Sequence, residues 1–425
     1  MRILVISNMY PPHHLGGYEL SCRDVMDRLR ARGHEITVLT TTMRIDGVED
    51  PFGEREQGIR RDLVFYWEDH ELLSPPVRRR LAIERANQGA LRSAIQAARP
   101  DVVSVWNMGA MSLGLLTTLV EKDLPIVFAV CDDWLVYGPH LDAWSRLFAG
   151  RRRLARAARS LLRVPTTLPA LAGAGAFCFV TDFIRRRAKE SAHVDPKIST
   201  VVYSGIDRVD FPPAAPDPLP WGGRLLCVGR LDERKGLDVA IKALSQLPEG
   251  TTLEILGQGD AAYRAHLDEI ANTLGLAERV KFNVVSRSEL KDHYRAADAV
   301  LFPVLWDEPF GLVPIEAIAC GTPVVATGTG GSAEFLAHER NCLLVAPGDS
   351  GALALAVTRL ADDIALRARL VEGGLRLADE LTTDRLADTF EAWHLAAADR
   401  FSQGRPVDRP SPLSENAGHT DGVDS

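Results

Sequence analysis

The sequence predicts an α/β protein made of two doubly wound domains with a cleft between them. Short apolar runs alternate with amphipathic stretches along the chain, a pattern typical of parallel strands covered by helices. At 425 residues the chain is too long for one ordinary domain. A proline-rich stretch, Phe211 to Pro220, interrupts the alternation and divides it into two similar series.

The first series predicts an N-terminal domain over residues 1–205. Its first helix runs from about Glu19 to Arg32 and ends at Gly33, a common C-terminal stop. The predicted strands are Ile3–Ser7, Ile36–Thr40, Val102–Trp106, Ile126–Val130 and Ala176–Val180.

The second series predicts another domain over residues 206–385. A last helix, 386–400, is expected to pack back on the first domain, and residues 401–425 have the composition of a disordered tail. The predicted strands are Arg224–Val228, Thr252–Leu256, Val280–Phe282, Ala299–Phe302 and Pro323–Ala326, with helices at Leu237–Leu247 and Ala261–Leu274. Ligands of such folds bind at the carboxyl ends of the strands.

Composition narrows the functional classes. The net charge of −8 argues against a dedicated nucleic-acid-binding protein, which usually carries a basic surplus. The six scattered cysteines form no Cys-x-x-Cys pair, so buried thiols are expected rather than a zinc site or a disulfide framework. The N-terminal apolar run is too short for a signal peptide. The longest stretch without charged residues, Val164–Thr181, barely reaches the length of a membrane span and is interrupted by proline and glycine. We therefore predict a cytoplasmic protein and leave open a peripheral contact at the inner membrane face.

A first candidate site follows the predicted strand Arg224–Val228. Gly229 allows a tight turn, and a helix is predicted to begin near Gly236. Arg230 and Lys235 then lie beside a helix N-terminus, where backbone N–H groups, the helix dipole and two cations could hold a phosphate. Two solvated cations on an ordinary loop are the alternative.

A second candidate site follows the predicted strand Ala299–Phe302. Glu308 is predicted in a loop and Glu316 in the second turn of a helix. Carboxylates in these positions can accept hydrogen bonds from vicinal hydroxyls of a sugar or ribose. The alternative is one acid that stabilises the helix dipole and one surface acid. Backbone N–H groups at the helix start could meet a phosphate or sugar oxygen, and they belong to Phe310, Gly311 and Leu312.

Two weaker candidates are glycine turns after strands. Gly257, in a Gly-Gln-Gly-Asp stretch, suggests a phosphate or ribose turn, with a plain strand-to-helix turn as the alternative. Gly16 and Gly17 precede the first helix and allow a polar or anionic ligand to approach closely. Just before them, His13 and His14 could contact substrate or be ordinary exposed loop residues.

The order of these elements resembles the retaining glycosyltransferases grouped as family 4, which have the GT-B fold of two Rossmann-like domains. The resemblance covers nearly the whole chain, from the Gly-Gly loop to about Leu360. The motifs that carry it in the second half are Gly-Arg-x5-Gly from Gly229, Gly-x-Gly-Asp from Gly257, Glu-x7-Glu from Glu308 and Cys-Gly-Thr-Pro from Cys320.

The resemblance implies transfer of a sugar from a nucleotide-diphosphate donor to a hydroxyl acceptor, with retained anomeric configuration and no metal or cofactor. Arg230 and Lys235 would hold the diphosphate, Glu308 would face the transferred sugar, and these three are the implied catalytic residues. Glu316 would bind the ribose hydroxyls. The other implied donor contacts are Gly16, Gly17, Gly229, Gly257, Phe310, Gly311 and Leu312. The acceptor stays open among a polysaccharide, a lipid-linked sugar and a secondary metabolite.

One position departs from the family pattern. Members often carry His-Asp-x-Trp after the strand that corresponds to Ile126–Val130, and this chain has Cys131, Asp132, Asp133 and Trp134. In the family this histidine usually contacts the donor sugar near its 6-hydroxyl. We therefore hypothesise a donor that differs at carbon 6, such as a 6-deoxy sugar or a pentose. The alternative is that Asp132 or Asp133 makes the contact.

An arginine-rich stretch is a second local feature. Residues Arg151–Arg163 contain six arginines together with Leu154, Leu161 and Leu162, which predicts a basic amphipathic helix. This helix could meet anionic lipid or an anionic acceptor, or it could be an ordinary solvated surface helix.

Three other functions compete with sugar transfer. A GT-B nucleotide-sugar epimerase shares the implied fold, but the Gly-Arg and paired-glutamate motifs favour transfer. A non-catalytic sugar-nucleotide-binding relative is suggested only by the departure at Cys131. An NAD-dependent dehydrogenase needs Gly-x-Gly-x-x-Gly after the first strand, where this chain has Asn8–Pro12. The nucleotide base and the oligomeric state stay open.

Overall fold

The described part of the chain folds into two α/β units. A computed structural model describes residues 1–45, 47–48, 58–68, 71–213 and 220–402. One unit comprises Met1–Tyr203 and the C-terminal helix, and the other comprises Ser204–Thr382. Most of the predicted linker (214–219) and tail (403–425) lies outside the described residues. Within the described residues, no helix combines the length and the apolar character that a bilayer crossing requires.

The first unit is built on a sheet of seven parallel strands. The strands of this sheet are β1 Arg2–Ile6, β2 Glu35–Thr41, β3 Ile59–Leu63, β6 Val102–Val105, β7 Ile126–Val130, β8 Ala176–Phe179 and β9 Ser199–Val201. A separate two-stranded hairpin is formed by β4 Trp67–Glu68 and β5 Glu71–Leu72. The order in the sheet is β3-β2-β1-β6-β7-β8-β9, so the winding reverses between β1 and β6.

Helices connect these strands, and their apolar faces explain how they pack. They are α1 Gly17–Ala31, α2 Val77–Ala98, α3 Gly114–Glu121, α4 Trp134–Leu141, α5 Arg152–Leu162 and α6 Asp182–Ser191. In α1 the buried residues Cys22, Val25, Met26 and Leu29 recur at helical spacing and form one face of the core. Every residue of β7 is buried, as expected for a parallel strand in a sheet covered on both faces.

The second unit is a parallel six-stranded sheet with its own core. Its strands are β10 Arg224–Val228, β11 Thr252–Leu256, β12 Val280–Asn283, β13 Ala299–Phe302, β14 Val324–Ala326 and β15 Leu343–Leu344. Its helices are α7 Leu237–Leu244, α8 Ala261–Thr273, α9 Arg287–Ala296, α10 Leu312–Ala319, α11 Ser350–Asp362 and α12 Ile364–Glu380. The order β12-β11-β10-β13-β14-β15 is that of a dinucleotide-binding sheet, in which ligands bind where the winding reverses. Here the reversal lies between β10 and β13.

The last helix, α13 Thr383–Ser402, belongs to the first unit. The Phe390 ring stacks on the Trp106 ring with centroids 5.0 Å apart. At the surface, Arg28 Nε lies 2.5 Å from Asp384 Oδ1. Aromatic stacking and an ion pair therefore hold this helix against the unit that begins the chain.

All ten predicted strands are present, with ends that differ by one residue at most. The helix predicted to reach Leu247 ends at Leu244, because Pro248 closes the segment and the residues between form a turn. Five strands were not predicted. Four of them are very short, with two or three residues each: β4, β5, β9 and β15. The fifth, β3, carries Arg60, Arg61 and Asp62 because it is the edge strand of its sheet.

Candidate active site

The loops after β10, β11 and β13 meet at the carboxyl edge of the second sheet. Their approach is so close that glycine is required at two positions. A Cβ on Gly236, whose φ is +64°, would lie 2.0 Å from the carbonyl oxygen of Pro303. A Cβ on Gly257, whose φ is +150°, would lie 1.9 Å from the carbonyl oxygen of Gly229. The sites predicted separately after these three strands are therefore one structural site.

The centre of this site is an ion pair between Lys235 and Glu308. Lys235 Nζ lies 2.7 Å from Glu308 Oε2, and the two side chains are only 20% and 14% exposed. The indole Nε1 of Trp306 donates to the same carboxylate oxygen at 3.0 Å. One oxygen of Glu308 thus receives two donors. Lys235 is not a solvated loop cation, which was the alternative at the sequence level.

Two neighbours that sequence reasoning missed surround this pair. The guanidinium of Arg234 lies 4.6 Å from the centroid of the Trp306 ring, a cation–π contact. Arg234 also pairs with Asp232 at 2.6 Å, and its hydrogen bond lowers the pKa of Asp232 to about 2. Trp306 therefore lies between a guanidinium and the Glu308 carboxylate. Its position two residues before Glu308 is the signal that could have revealed it.

Arg230 has a different environment from Lys235. It lies in the turn after β10, its side chain is exposed, and it forms no side-chain hydrogen bond or ion pair with the residues that the structure describes. Its charge still acts locally, because it helps to lower the pKa of Asp232. A cation in this state can meet an anionic ligand without breaking an existing pair.

Glu316 lies in the second turn of α10 and is 3% exposed, so it is not a surface acid. Arg287 Nη1 donates to its Oε1 at 2.9 Å, and the Tyr294 hydroxyl donates to its Oε2 at 2.9 Å. Burial and the nearby Glu316 charge raise the pKa of Tyr294 well above its usual range. The carboxylate is thus fixed by two donors, and each oxygen keeps capacity to accept a further hydrogen bond.

Two glycines allow the backbone conformation around Glu308. Gly311, with φ +96°, precedes the first residue of α10, Leu312, and no side chain caps this helix start. A Cβ on Gly330 would lie 2.6 Å from the carbonyl oxygen of Glu308, which accepts a hydrogen bond from Gly331 N at 2.7 Å. Phe310 is buried, with its ring 4.8 Å from that of Phe335. The loop that carries Glu308 is therefore a packed segment.

The turn that contains Gly257 has a structural role as well. Asp260 Oδ1 accepts a hydrogen bond from Tyr263 N at 2.7 Å and caps α8. The Gly-Gln-Gly-Asp stretch therefore forms an ordinary strand-to-helix turn at its end, while Gly257 itself lies against the loop of Gly229.

In the first unit, α1 begins at Gly17 and Gly16 N donates to Glu19 Oε2 at 3.1 Å. The interpretation of His13 as an exposed loop residue is wrong. His13 is 3% exposed. Its ring accepts a hydrogen bond from Ile45 N at 3.1 Å, in the segment that follows β2. His14, the second predicted histidine, is partly buried.

The stretch that departs from the family pattern is also held internally. Asp132 accepts hydrogen bonds from the Tyr137 hydroxyl at 2.8 Å and from Trp134 N at 3.0 Å. Burial raises the pKa of Asp132 to about 6, although these bonds oppose the shift. Asp133 forms an ion pair with Arg187 at 2.9 Å. Burial, with the Asp132 charge, raises the pKa of the Cys131 thiol well above its usual range.

The cysteines as a group carry free thiols. Cys131 is partly exposed. The other five are buried: Cys22, Cys178, Cys227, Cys320 and Cys342. This agrees with the expectation of small apolar thiols inside the cores.

Comparison with known proteins gives relatives for both units. The model of Glycosyltransferase Family 4 matches residues 15–209, and the model of Glycosyl transferases group 1 matches residues 223–376. An uncharacterised glycosyltransferase of Methanocaldococcus jannaschii is 23% identical over 419 residues, which cover 93% of this chain and 98% of that protein. Glycogen synthase of Mycobacterium tuberculosis is 28% identical over 424 residues, covering 96% and 97%.

Solved structures also resemble the fold of this chain. The crystal structure of Anabaena HepE in complex with UDP superposes with a TM-score of 0.65 at 20% identity, covering 92% of this chain and 98% of that one. The likeness is one of fold, and its coverage includes both units. Together with the two family models, it shows that the GT-B fold implied by the sequence motifs is correct. The chain belongs to glycosyltransferase family 4 and is a glycosyltransferase.

Proposed function

We propose that this glycosyltransferase retains the anomeric configuration and takes its sugar from a nucleoside-diphosphate donor bound at the carboxyl ends of β10 and β13. The observation that carries the proposal is the mostly buried pair of Lys235 and Glu308, with the exposed Arg230 in the adjacent turn. A diphosphate beside α7 would meet two cations and a helix N-terminus, as anions generally do in such folds.

The residues divide the work by charge. Arg230 and Lys235 would stabilise the charge that develops on the leaving nucleoside diphosphate, the largest electrostatic demand of the reaction. Oε2 of Glu308 already accepts hydrogen bonds from Lys235 and Trp306. Oε1 would therefore accept hydrogen bonds from hydroxyls of the transferred sugar. Glu316, held by Arg287 and Tyr294, would accept from the ribose hydroxyls.

Retention follows in this proposal from attack of the acceptor hydroxyl on the face from which the diphosphate departs. The bond between the anomeric carbon and the phosphate oxygen breaks as the bond to the acceptor oxygen forms, and the departing diphosphate takes the proton of the hydroxyl. No protein nucleophile is needed, and the proposed reaction uses no metal ion. Adding a chelator should therefore leave the rate unchanged. The anomeric signal of the product, followed by NMR during turnover, tests the stereochemistry, and an inverted product would contradict it.

A donor that differs at carbon 6 remains our hypothesis for the sugar. It rests on Cys131, which stands where members of the family often have histidine and whose thiol is kept neutral by a pKa well above its usual range. If the hypothesis holds, 6-deoxy or pentose donors are used better than the matching hexose donors. A Cys131→His variant should then gain activity on hexose donors, and no gain would count against the idea.

The direct test of function is release of nucleoside diphosphate from a panel of UDP-, GDP-, dTDP- and ADP-sugars. HepE has been crystallised with UDP-glucose, which makes uridine donors the first to try. Release that depends on Lys235 and not on the surface residue Lys242 would support the proposal. Absence of release with every donor, with and without sugar and lipid-linked acceptors, would contradict it.

A further inference from the structure

Helix α5 exposes its apolar residues to solvent. Leu161 is 82% exposed and Leu154 is 50% exposed, and Ala155 is the only buried residue of the helix. A surface helix of a globular protein usually turns its apolar stripe toward the core. In α5 the leucines that would form such a stripe are on the outside, so they are available to a partner.

The exposed leucines share one face of the helix. Leu154 and Leu161 are seven residues apart, and Ala157 and Ala158 occupy the positions between them at helical spacing. The arginines occupy another face at the same spacing: Arg152, Arg156, Arg159 and Arg163. The segment 151–163 contains no acidic residue. It is therefore a strongly basic amphipathic helix.

The helix is attached to its unit by a third, narrow face. The Thr166 hydroxyl donates to the carbonyl oxygen of Ala155 at 2.9 Å, and the indole Nε1 of Trp144 donates to the carbonyl oxygen of Pro165 at 2.7 Å. The left-handed backbone of Arg163, with φ +59°, ends the helix. These contacts fix the orientation of α5 while its apolar and basic faces stay exposed.

The positive charge extends beyond the helix. A cleft of about 340 Å³ beside α5 is lined by four cations, Arg92, Lys122, Arg159 and Arg163, and by one acid, Glu121. Among the described residues, Glu121 pairs with Arg159, and the other three cations form no side-chain ion pair. The cleft therefore offers net positive charge to an anionic group.

Helix α6 shows how an ordinary solvated arginine cluster looks in the same unit. Arg185 and Arg186 both pair with Asp182, and Arg187 pairs with Asp133. These arginines are neutralised by neighbours on their own unit. In α5 the structure gives such a pair only to Arg159 within the residues it describes.

We propose that α5 binds the surface of an anionic lipid bilayer. The helix would lie in the plane of the interface, with Leu154 and Leu161 inserted among the acyl chains and the arginines at the phosphate level. The cleft lined by Arg92 and Lys122 would take a lipid phosphate. Lipid binding of this kind needs neither donor nor acceptor, so its test is independent of the proposed sugar transfer.

The test is sedimentation of the full-length protein with two kinds of vesicle. The first kind contains phosphatidylcholine alone. The second kind is anionic, because phosphatidylglycerol replaces part of the phosphatidylcholine. We expect binding to the anionic vesicles only, weakened by high salt because lipid charge is screened within a Debye length. Equal binding to both vesicles, or binding to neither, would overturn the proposal.

Paired variants assign the binding to α5. L154Q/L161Q should weaken partitioning at least tenfold, and R152Q/R156Q on the order of tenfold or more, since each arginine near an anionic surface contributes roughly a fivefold factor. The matched control L355Q/I364Q changes two exposed aliphatic residues of the second unit and should bind like the wild type. Control and α5 variants that lose binding alike would contradict the assignment.

Two further readouts keep the proposal falsifiable if a variant folds poorly. Hydrogen exchange of the wild-type backbone over residues 152–162 should slow when anionic vesicles are added. If instead the leucine variant abolishes self-association in the absence of lipid, and vesicles protect nothing in α5, the face belongs to a second copy of the chain and the proposal fails.

Discussion

Replacing Lys235 by alanine is expected to lower turnover by a factor on the order of 100 to 1000. The ammonium lies 2.7 Å from Glu308 in a mostly buried setting, beside the proposed position of the diphosphate. A unit charge about 4 Å from a phosphate oxygen contributes about 4 kcal/mol at an effective dielectric constant of about 20. Removal of one preorganised group that stabilises transition-state charge typically costs about 2.7–4 kcal/mol, which agrees with this range.

The assay is nucleoside diphosphate release at saturating donor, with the thermal midpoint of each variant measured alongside. Lys242→Ala is the matched control, because Lys242 lies on α7 in the same unit and pairs with Asp238 at 2.8 Å on the surface. The control should keep its turnover, since exposed pairs contribute little. A loss under about threefold in Lys235→Ala, with the fold intact, would refute the role of Lys235 in stabilising the leaving group.

Three further predictions concern other described residues. Trp306→Phe removes the N–H that binds Glu308 and keeps an aromatic ring. Because a hydrogen bond to a charged group contributes about 1.5–3 kcal/mol, kcat should fall by a factor of about 10 to 100. Glu84 is a buried residue of α2, and burial raises its pKa from 4.5 to about 8. Between these two pH values the folded state keeps a proton that the unfolded state releases, so stability falls as pH rises from 4.5 to about 8. Glu84→Gln should remove that loss in urea unfolding at pH 5 and 8. His394 is fully buried in α13, and burial lowers its pKa from 6.5 to about 3. Stability should therefore fall as pH drops below 6.5, and His394→Phe should reduce that fall.

Each of these predictions has a result that would contradict it. An unchanged kcat in Trp306→Phe would mean that Lys235 alone holds the carboxylate. Parallel stability curves of Glu84→Gln and wild type between pH 5 and 8 would mean that Glu84 is charged in the folded state. For His394, whose ring nitrogens have no hydrogen-bond partner among the described residues, equal acid sensitivity in variant and wild type would mean that the buried ring accepts a proton.

Much of the fold could be predicted because it depends on local patterns. In a parallel sheet the strands are apolar on both faces, so β10 and β13 stand out as apolar runs between amphipathic helices. The same topology places the loops after those strands at one edge of the sheet. The proximity of Lys235 and Glu308 follows from that rule without any knowledge of side-chain packing.

The remaining features depend on contacts between distant segments. The donors that hold Glu316 come from α9, and nothing in the spacing of Arg287 and Tyr294 indicates a buried carboxylate partner. His13 lies in a loop with polar character, and its burial results from the chain that follows β2. The edge strand β3 escaped prediction because its arginines suit an edge that must not pair with other chains.

The central claim is that the second unit binds a nucleoside diphosphate where β10 and β13 meet. The most direct test is a thermal-shift panel of UDP, GDP, dTDP and ADP with the wild type, Lys235→Ala and Glu316→Gln, each compared with its own ligand-free midpoint. A ligand that binds only the folded state raises the midpoint by mass action. We expect one nucleotide to stabilise the wild type and to lose most of that shift in both variants. No shift with any nucleotide, or an undiminished shift in both variants, would contradict the claim.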